Sequence, residues 1–312
     1  MVRVRRLLFL PLLLVLPLTA CAEREDDPAP EAAGSGDFPV ELSPEGAPSV
    51  TLEQRPERIV SLSPSTTETL YAVGAGDQVV AVDEMSTAPE QAPRTDLSGL
   101  TPDPERIASH DPDLVIVESD TDGKLTESLA GTGTATLVLP APQSLDAMYT
   151  QFELVGTATG HRQNGADLAE QTRSEIEKLV ADTGDAGTEL SYYHELDPSF
   201  YSVTSATFIG QVYDLFGLTN IADQGDPSAQ GGYPQLSAER VLEADPDLVF
   251  LADTRCCGQD AETVAQRPGW DTLTAVREDG IVELDDDTAS RWAPRITDFV
   301  DTVAESVSRA AA

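Results

Sequence analysis

Positive charge is scarce in this chain: 19 Lys and Arg stand against 55 Asp and Glu, a formal net charge of −36. So acidic a surface repels phosphate backbones and anionic headgroups, which excludes nucleic acid and anionic lipid as partners. Histidine is limited to His110, His161 and His194. No H-E-x-x-H, G-x-S-x-G, Walker loop or G-x-G-x-x-G occurs, so the usual arrangements for zinc hydrolysis, serine nucleophiles and nucleotide phosphates are missing. Of the three histidines, only His194, beside Glu195 at a strand end, is placed to be catalytic or a metal ligand. No metal site can be composed from the rest. Cysteine is limited to Cys21, Cys256 and Cys257. Long apolar runs are also lacking. Leu7 to Leu16 falls short of the roughly 18 to 20 residues that a membrane span needs.

That run does have a use. Arg3, Arg5 and Arg6 precede it and Leu18-Thr19-Ala20-Cys21 follows, which reads as a secretory signal over residues 1–20. The Leu-Thr-Ala-Cys tetrapeptide resembles the lipobox of bacterial lipoproteins. The resemblance implies cleavage before Cys21, lipidation of its sulfur, and attachment to the outer face of the cell membrane by that lipid alone. Residues 21–52 are rich in Pro, Glu, Asp, Gly and Ala. They hold too little apolar surface to pack and are expected to form a flexible tether.

The rest of the chain is built twice. Pro104 to Val117 reads P-E-R-I-A-S-H-D-P-D-L-V-I-V, and Ala238 to Leu251 reads A-E-R-V-L-E-A-D-P-D-L-V-F-L. Each copy predicts a short helix, an Asp-Pro-Asp turn and a buried strand. A match at this separation means one plan used twice. Strands predicted at 58–62, 78–82, 114–118 and 136–139 alternate with helices, and so do those at 190–195, 248–252 and 281–284. That alternation predicts α/β lobes with parallel sheets. The expected layout is an N-terminal lobe over 53–159, a connector helix over 160–184, a C-terminal lobe over 185–312 and a ligand cleft between the lobes. Ser65 with Glu68 three residues later reads as a capping box for the first helix. Trp292 to Arg309 reads as the closing helix.

Several segments occur together: the R-I-V-S-L-S-P-S-T-T-E opening, the paired E-R-[IV] and D-P-D-L-V units, G-G-Y-P-Q-L-S-A-E from Gly231, and R-W-A-P-R from Arg291. In combination they resemble the substrate-binding proteins of ABC importers for cobalamin, haem and ferric siderophores, over about residues 55–310. The resemblance implies two Rossmann-like lobes joined by one long helix, little movement on binding, no catalysis, no intrinsic cofactor and a monomeric receptor. It also implies that Glu105 and Glu239, one per lobe, dock onto arginines of a dimeric permease.

Ligands of open α/β sheets bind beyond the carboxyl ends of the strands. The candidates there are Ser63, Ser65, Thr66, Glu84, Met85 and Glu118 in the first lobe. In the second they are His194, Tyr233, Cys256, Cys257, Asp287 and Arg291. Asp287 and Arg291 match an acid–base pair near the ligand in cobalamin binders, which favours a corrinoid. A ferric siderophore or haem is the alternative metal chelate, and a metal-dependent or thiol-redox enzyme is the alternative of a different class. Trp270 and Trp292 fall away from the positions of the flat walls that cobalamin binders use, and Tyr233 is the available replacement. Cys256-Cys257 admits three readings: a vicinal disulfide, a pair of soft ligands, or two packed thiols.

Overall fold

The computed structural model describes residues 38–224 and 229–312. The signal segment, Cys21 and the tether up to residue 37 lie outside the described residues. The N-terminal lobe runs β1 (Val40–Leu42), β2 (Val50–Leu52), β3 (Ile59–Leu62), α1 (Pro64–Ala72), β4 (Val79–Asp83), β5 (Arg94–Leu97), α2 (Pro104–Ala108), β6 (Leu114–Val117), α3 (Lys124–Ala130) and β7 (Ala135–Val138). Two long helices follow, α4 (Leu145–Ala158) and α5 (Arg162–Thr183). The C-terminal lobe runs β8 (Ser191–Glu195), α6 (Phe208–Asp214), β9 (Thr219–Asn220), α7 (Ala238–Ala244), β10 (Leu248–Leu251), α8 (Thr254–Cys257), α9 (Ala261–Ala265), α10 (Thr274–Arg277), β11 (Ile281–Glu283), α11 (Asp286–Ala289) and α12 (Ile296–Ala310).

The two sheets repeat one topology. The first has the order β5-β4-β3-β6-β7 and the second, read from its β9 edge, β9-β8-β10-β11. All their strand pairs are parallel. Thus β4 matches β9, β3 matches β8, β6 matches β10 and β7 matches β11, with β5 an extra edge strand. The Asp-Pro-Asp turns show why the repeat is kept. Asp111 and Asp245 both take a left-handed backbone, at φ 52° and 44°. The second aspartate of each turn then pins the start of the neighbouring central strand. Asp113 accepts from the amides of Glu57 and Arg58 at 2.8 and 3.1 Å, just ahead of β3. Asp247 accepts from the amide and hydroxyl of Ser191 at 2.7 Å each, at the start of β8. Charge-assisted bonds of this kind are each worth about 1.5–3 kcal/mol.

The long helix α5 has 22 residues, or roughly 33 Å at 1.5 Å per residue. Behind a turn at Gly160, whose φ is 76°, it runs back along α4. The two helices meet backbone to backbone: a Cβ on Gly156 would lie 2.8 Å from the Cα of Gly165, and one on Gly165 would lie 2.7 Å from the Phe152 carbonyl. Val155 and Ala158 of α4 join the core of the first lobe, while Met148 and Phe152 of α4 and Ile176 of α5 join that of the second.

Several expectations change. Regular structure reaches into the segment expected as a tether, because β1 and β2 pair antiparallel and bury Val40, Leu42 and Leu52 in the first core. The closing helix begins at Ile296, since Pro294 fixes the chain ahead of it rather than within its first turn. The capping box does not form. Ser63 is the N-cap of α1 and Pro64 its first residue, which leaves Ser65 inside the helix and Glu68 free to bond elsewhere.

Candidate ligand-binding cleft

The carboxyl ends of β3, β4 and β6 open onto a cavity of about 870 Å³ whose lining includes Leu62, Pro64, Met85 and Leu100. Met85 and Leu100 are 57% and 92% exposed and give the cavity an apolar part of its wall. The same lining carries the carboxylates of Asp83, Glu84, Glu118, Asp120 and Asp122 against the ammonium of Lys124. That ammonium is itself paired with Asp122. Asp83 is buried, and the Ser86 hydroxyl donates to it. Thr67 extends the chain of hydroxyls to Ser86 and Ser61, at 2.9 Å each. Burial raises the pKa of Asp83 against the opposing Ser86 hydrogen bond. Burial, and then the charge of Asp83, raise that of Glu118. The cavity wall is therefore negative and partly apolar.

Beside this cavity the two lobes are locked together. Arg291 is 8% exposed. It donates to Glu68 Oε1 at 3.2 Å, Thr87 Oγ1 at 3.1 Å, the Met85 carbonyl at 3.0 Å and Asp287 Oδ1 at 2.7 Å. Arg295 grips Glu68 with two bonds, Nε to Oε2 and Nη2 to Oε1, both 2.7 Å. Thr87 donates in turn to Asp287 Oδ2 at 2.7 Å. A carboxylate on α1 of the first lobe is thus held by two guanidinium groups of the second. The geometry is the bidentate fork that makes Arg–carboxylate pairs strong and directional.

The predicted residues divide between these places and others. Glu84, Met85 and Glu118 line the cavity, and Asp287 and Arg291, in the clasp, are joined to it through the Met85 carbonyl. Ser63, Ser65 and Thr66 were expected to face the ligand. They are buried and absent from the lining, whereas the half-buried Pro64, first residue of α1, is part of it. His194 is fully buried. Its Nδ1 lies 2.7 Å from the Tyr213 hydroxyl, and burial lowers its pKa to about 3. Side chains alternate along β8, so His194 joins Tyr192 on the core side and is a neutral core residue, not a cleft residue. Tyr233 is exposed but does not line the cavity. Trp270 is buried against Tyr193 and Phe200.

Cys256 and Cys257 are exposed, unbonded thiols in the single turn of α8. The two are free thiols in this structure, and Cys257 lies near enough to act on the Cys256 thiol. Desolvation, then Cys257, then Asp286 push the Cys256 thiol up to about 12, so it is protonated at neutral pH and a poor nucleophile. Among the described residues no three His, Cys, Asp or Glu side chains converge as a metal site. Glu105 and Glu239 are both exposed and hold the same position, second in α2 and in α7. The N-cap oxygens of Asp103 and Ser237 fix that register by accepting from Arg106 and Arg240.

Glu68 and Thr87 are the functional residues that the sequence reading missed. One signal was available. Glu68 is the sole charge in the Ser/Thr-rich α1 segment, and a lone acid on a helix without a polar face needs a partner when buried.

A family model described as "Periplasmic binding protein" matches residues 59–288. An uncharacterized ABC transporter substrate-binding lipoprotein of Bacillus subtilis, YvrC, is 28% identical over 305 residues, covering 95% of this chain and 94% of the relative. A cobalamin-binding protein of Halobacterium salinarum is 29% identical over 84% of this chain and 72% of its own length. The crystal structure of the periplasmic vitamin B12 binding protein BtuF of Vibrio cholerae superposes with a TM-score of 0.66 at 25% identity, covering 82% of this chain and 98% of that one. Among the described residues no helix is long and apolar enough to cross a membrane.

Proposed function

Because the chain belongs to the periplasmic binding protein family, we propose that it is a lipid-anchored, monomeric receptor that delivers a corrinoid to an ABC importer. Cys21 carries the lipid and holds the protein on the outer face of the membrane. The ligand sits against the cavity at the carboxyl ends of the first sheet, with Met85 and Leu100 as its apolar contacts and Glu84 and Glu118 as its polar ones. The size suits a large, flat chelate, since pockets for small ligands run from about 300 to 1,000 Å³.

One observation carries the choice of ligand: the charge of the wall. Five carboxylates line the cavity against a single ammonium that is already paired, and the nearby guanidinium groups of Arg291 and Arg295 are bound to Glu68. Haem propionates and ferric catecholates are anions and would be repelled. A corrinoid such as cyanocobalamin is neutral. The relatives named for cobalamin support the same choice. The test is the absorption spectrum of protein purified from its own host. Corrinoid bands are expected, and a Soret band or a ferric catecholate charge-transfer band in their place would overturn the ligand assignment.

A further inference from the structure

Glu68 holds two arginines, and one of them, Arg291, donates to a residue of the cavity wall. Without Glu68, Arg291, which donates to the Met85 carbonyl at the edge of the ligand space, would keep only Asp287 as a carboxylate partner, and Arg295 would lose its one ion pair among the described residues. The surroundings show how completely these charges are absorbed. Arg291 meets Glu68 and Asp287, Arg295 meets Glu68, and the adjoining Arg255 meets Asp285 at 2.6 Å and Asp287 at 3.6 Å. Glu68 and Arg291 are both less than a tenth exposed, so water screens them poorly and their mutual attraction is strong. Removing one partner of a buried ion pair leaves the other charge uncompensated, which favours an anion that can reach it.

We propose that Glu68 is the residue that determines the charge class of the ligand: by holding Arg291 and Arg295, it keeps the cleft closed to anionic chelates and open to neutral or cationic ones. The inference rests on the transport reading and deepens it. Specificity of this sort comes from an element that works against the wrong ligand as much as from contacts with the right one. Glu68 supplies it without touching the ligand, so it is a positioning residue.

The experiment uses Glu68→Gln, which keeps the shape of the side chain and removes its charge. Hemin, with two propionates, and cyanocobalamin, neutral overall, are titrated by absorbance into the wild-type and variant full chains. Hemin affinity is expected to rise by at least about tenfold, a ratio corresponding to one decade in Kd, with no matching rise for cyanocobalamin. Unchanged hemin affinity, or an equal rise for both probes, overturns the inference, since a purely structural effect would not separate probes by charge. Failure of the corrinoid reading is seen elsewhere, as absence of cyanocobalamin binding by the wild-type protein, and leaves the hemin comparison intact. If Glu68→Gln does not fold, an Arg291→Gln, Arg295→Gln double variant carries the test. It leaves Glu68 uncovered, and preference for aquocobalamin, a monocation at neutral pH, over cyanocobalamin should rise several-fold. An unchanged preference there overturns the inference.

Discussion

Asp253 lies at the end of β10, fully buried, and neither of its carboxylate oxygens has a hydrogen-bond partner among the described residues. Its neighbour Glu195 is equally buried but is held by Arg267 through two bonds of 2.6 and 2.5 Å, under the Trp270 ring at 4.6 Å. Burial, and then the charge of Glu195, raise the pKa of Asp253 to about 7. In the unfolded chain an aspartate titrates near 4. Between about pH 4 and 7 the folded state therefore binds more protons, and stability falls as pH rises through that window. Asp253→Asn removes the titration. Urea midpoints of the variant should match wild type near pH 4 and exceed it at pH 8, and parallel profiles would show that Asp253 titrates as an ordinary acid. None of this was legible in the sequence. Glu195 ends β8 and Asp253 follows β10, and position at a strand end does not by itself separate a cleft carboxylate from a core one. What decides their role is Arg267, 72 residues away from Glu195, whose fork turns the glutamate inward.

Elements were easier to read than contacts. The E-R-[IV]…D-P-D-L-V units mark α2 with β6 and α7 with β10, because a helix start, a left-handed turn and an apolar strand each leave a local imprint. Strand β5, with the sequence Arg-Thr-Asp-Leu, and the two-residue β9 lack apolar alternation and went unseen; they are strands by virtue of their neighbours. The connector was legible from its length and its lack of strand pattern, but the glycine contact beneath it was not. Gly165→Ala would place a methyl group 2.7 Å from the Phe152 carbonyl. Overpacking of this kind costs about 1–3 kcal/mol, so thermal unfolding should move down by several degrees. An unshifted transition would mean that α4 and α5 can part without loss. The clasp shows the opposite limit of local reading: Glu68 lies 223 and 227 positions from Arg291 and Arg295, and a helix-cap pattern at Ser65 offered a nearer, wrong use for it.

Across the whole molecule the duplication sets two carboxylates at matched places, Glu105 on one lobe and Glu239 on the other. Exposure and a shared helix register support their proposed role in docking. A Glu105→Ala, Glu239→Ala variant is expected to bind ligand as wild type does, yet to lose most uptake in whole cells; normal uptake would remove the docking role. The clasp bears on this too, because Glu68 ties together the two lobes that carry these groups. The hairpin of β1 and β2 has a separate outcome. Val40 lies nineteen positions after Cys21, so a lipid there, as proposed, would keep β1 within at most roughly 60 Å of its anchor. A receptor held that close explores a thin layer above the bilayer. Its local concentration at a neighbouring transporter is then governed by leash length rather than by its abundance in bulk.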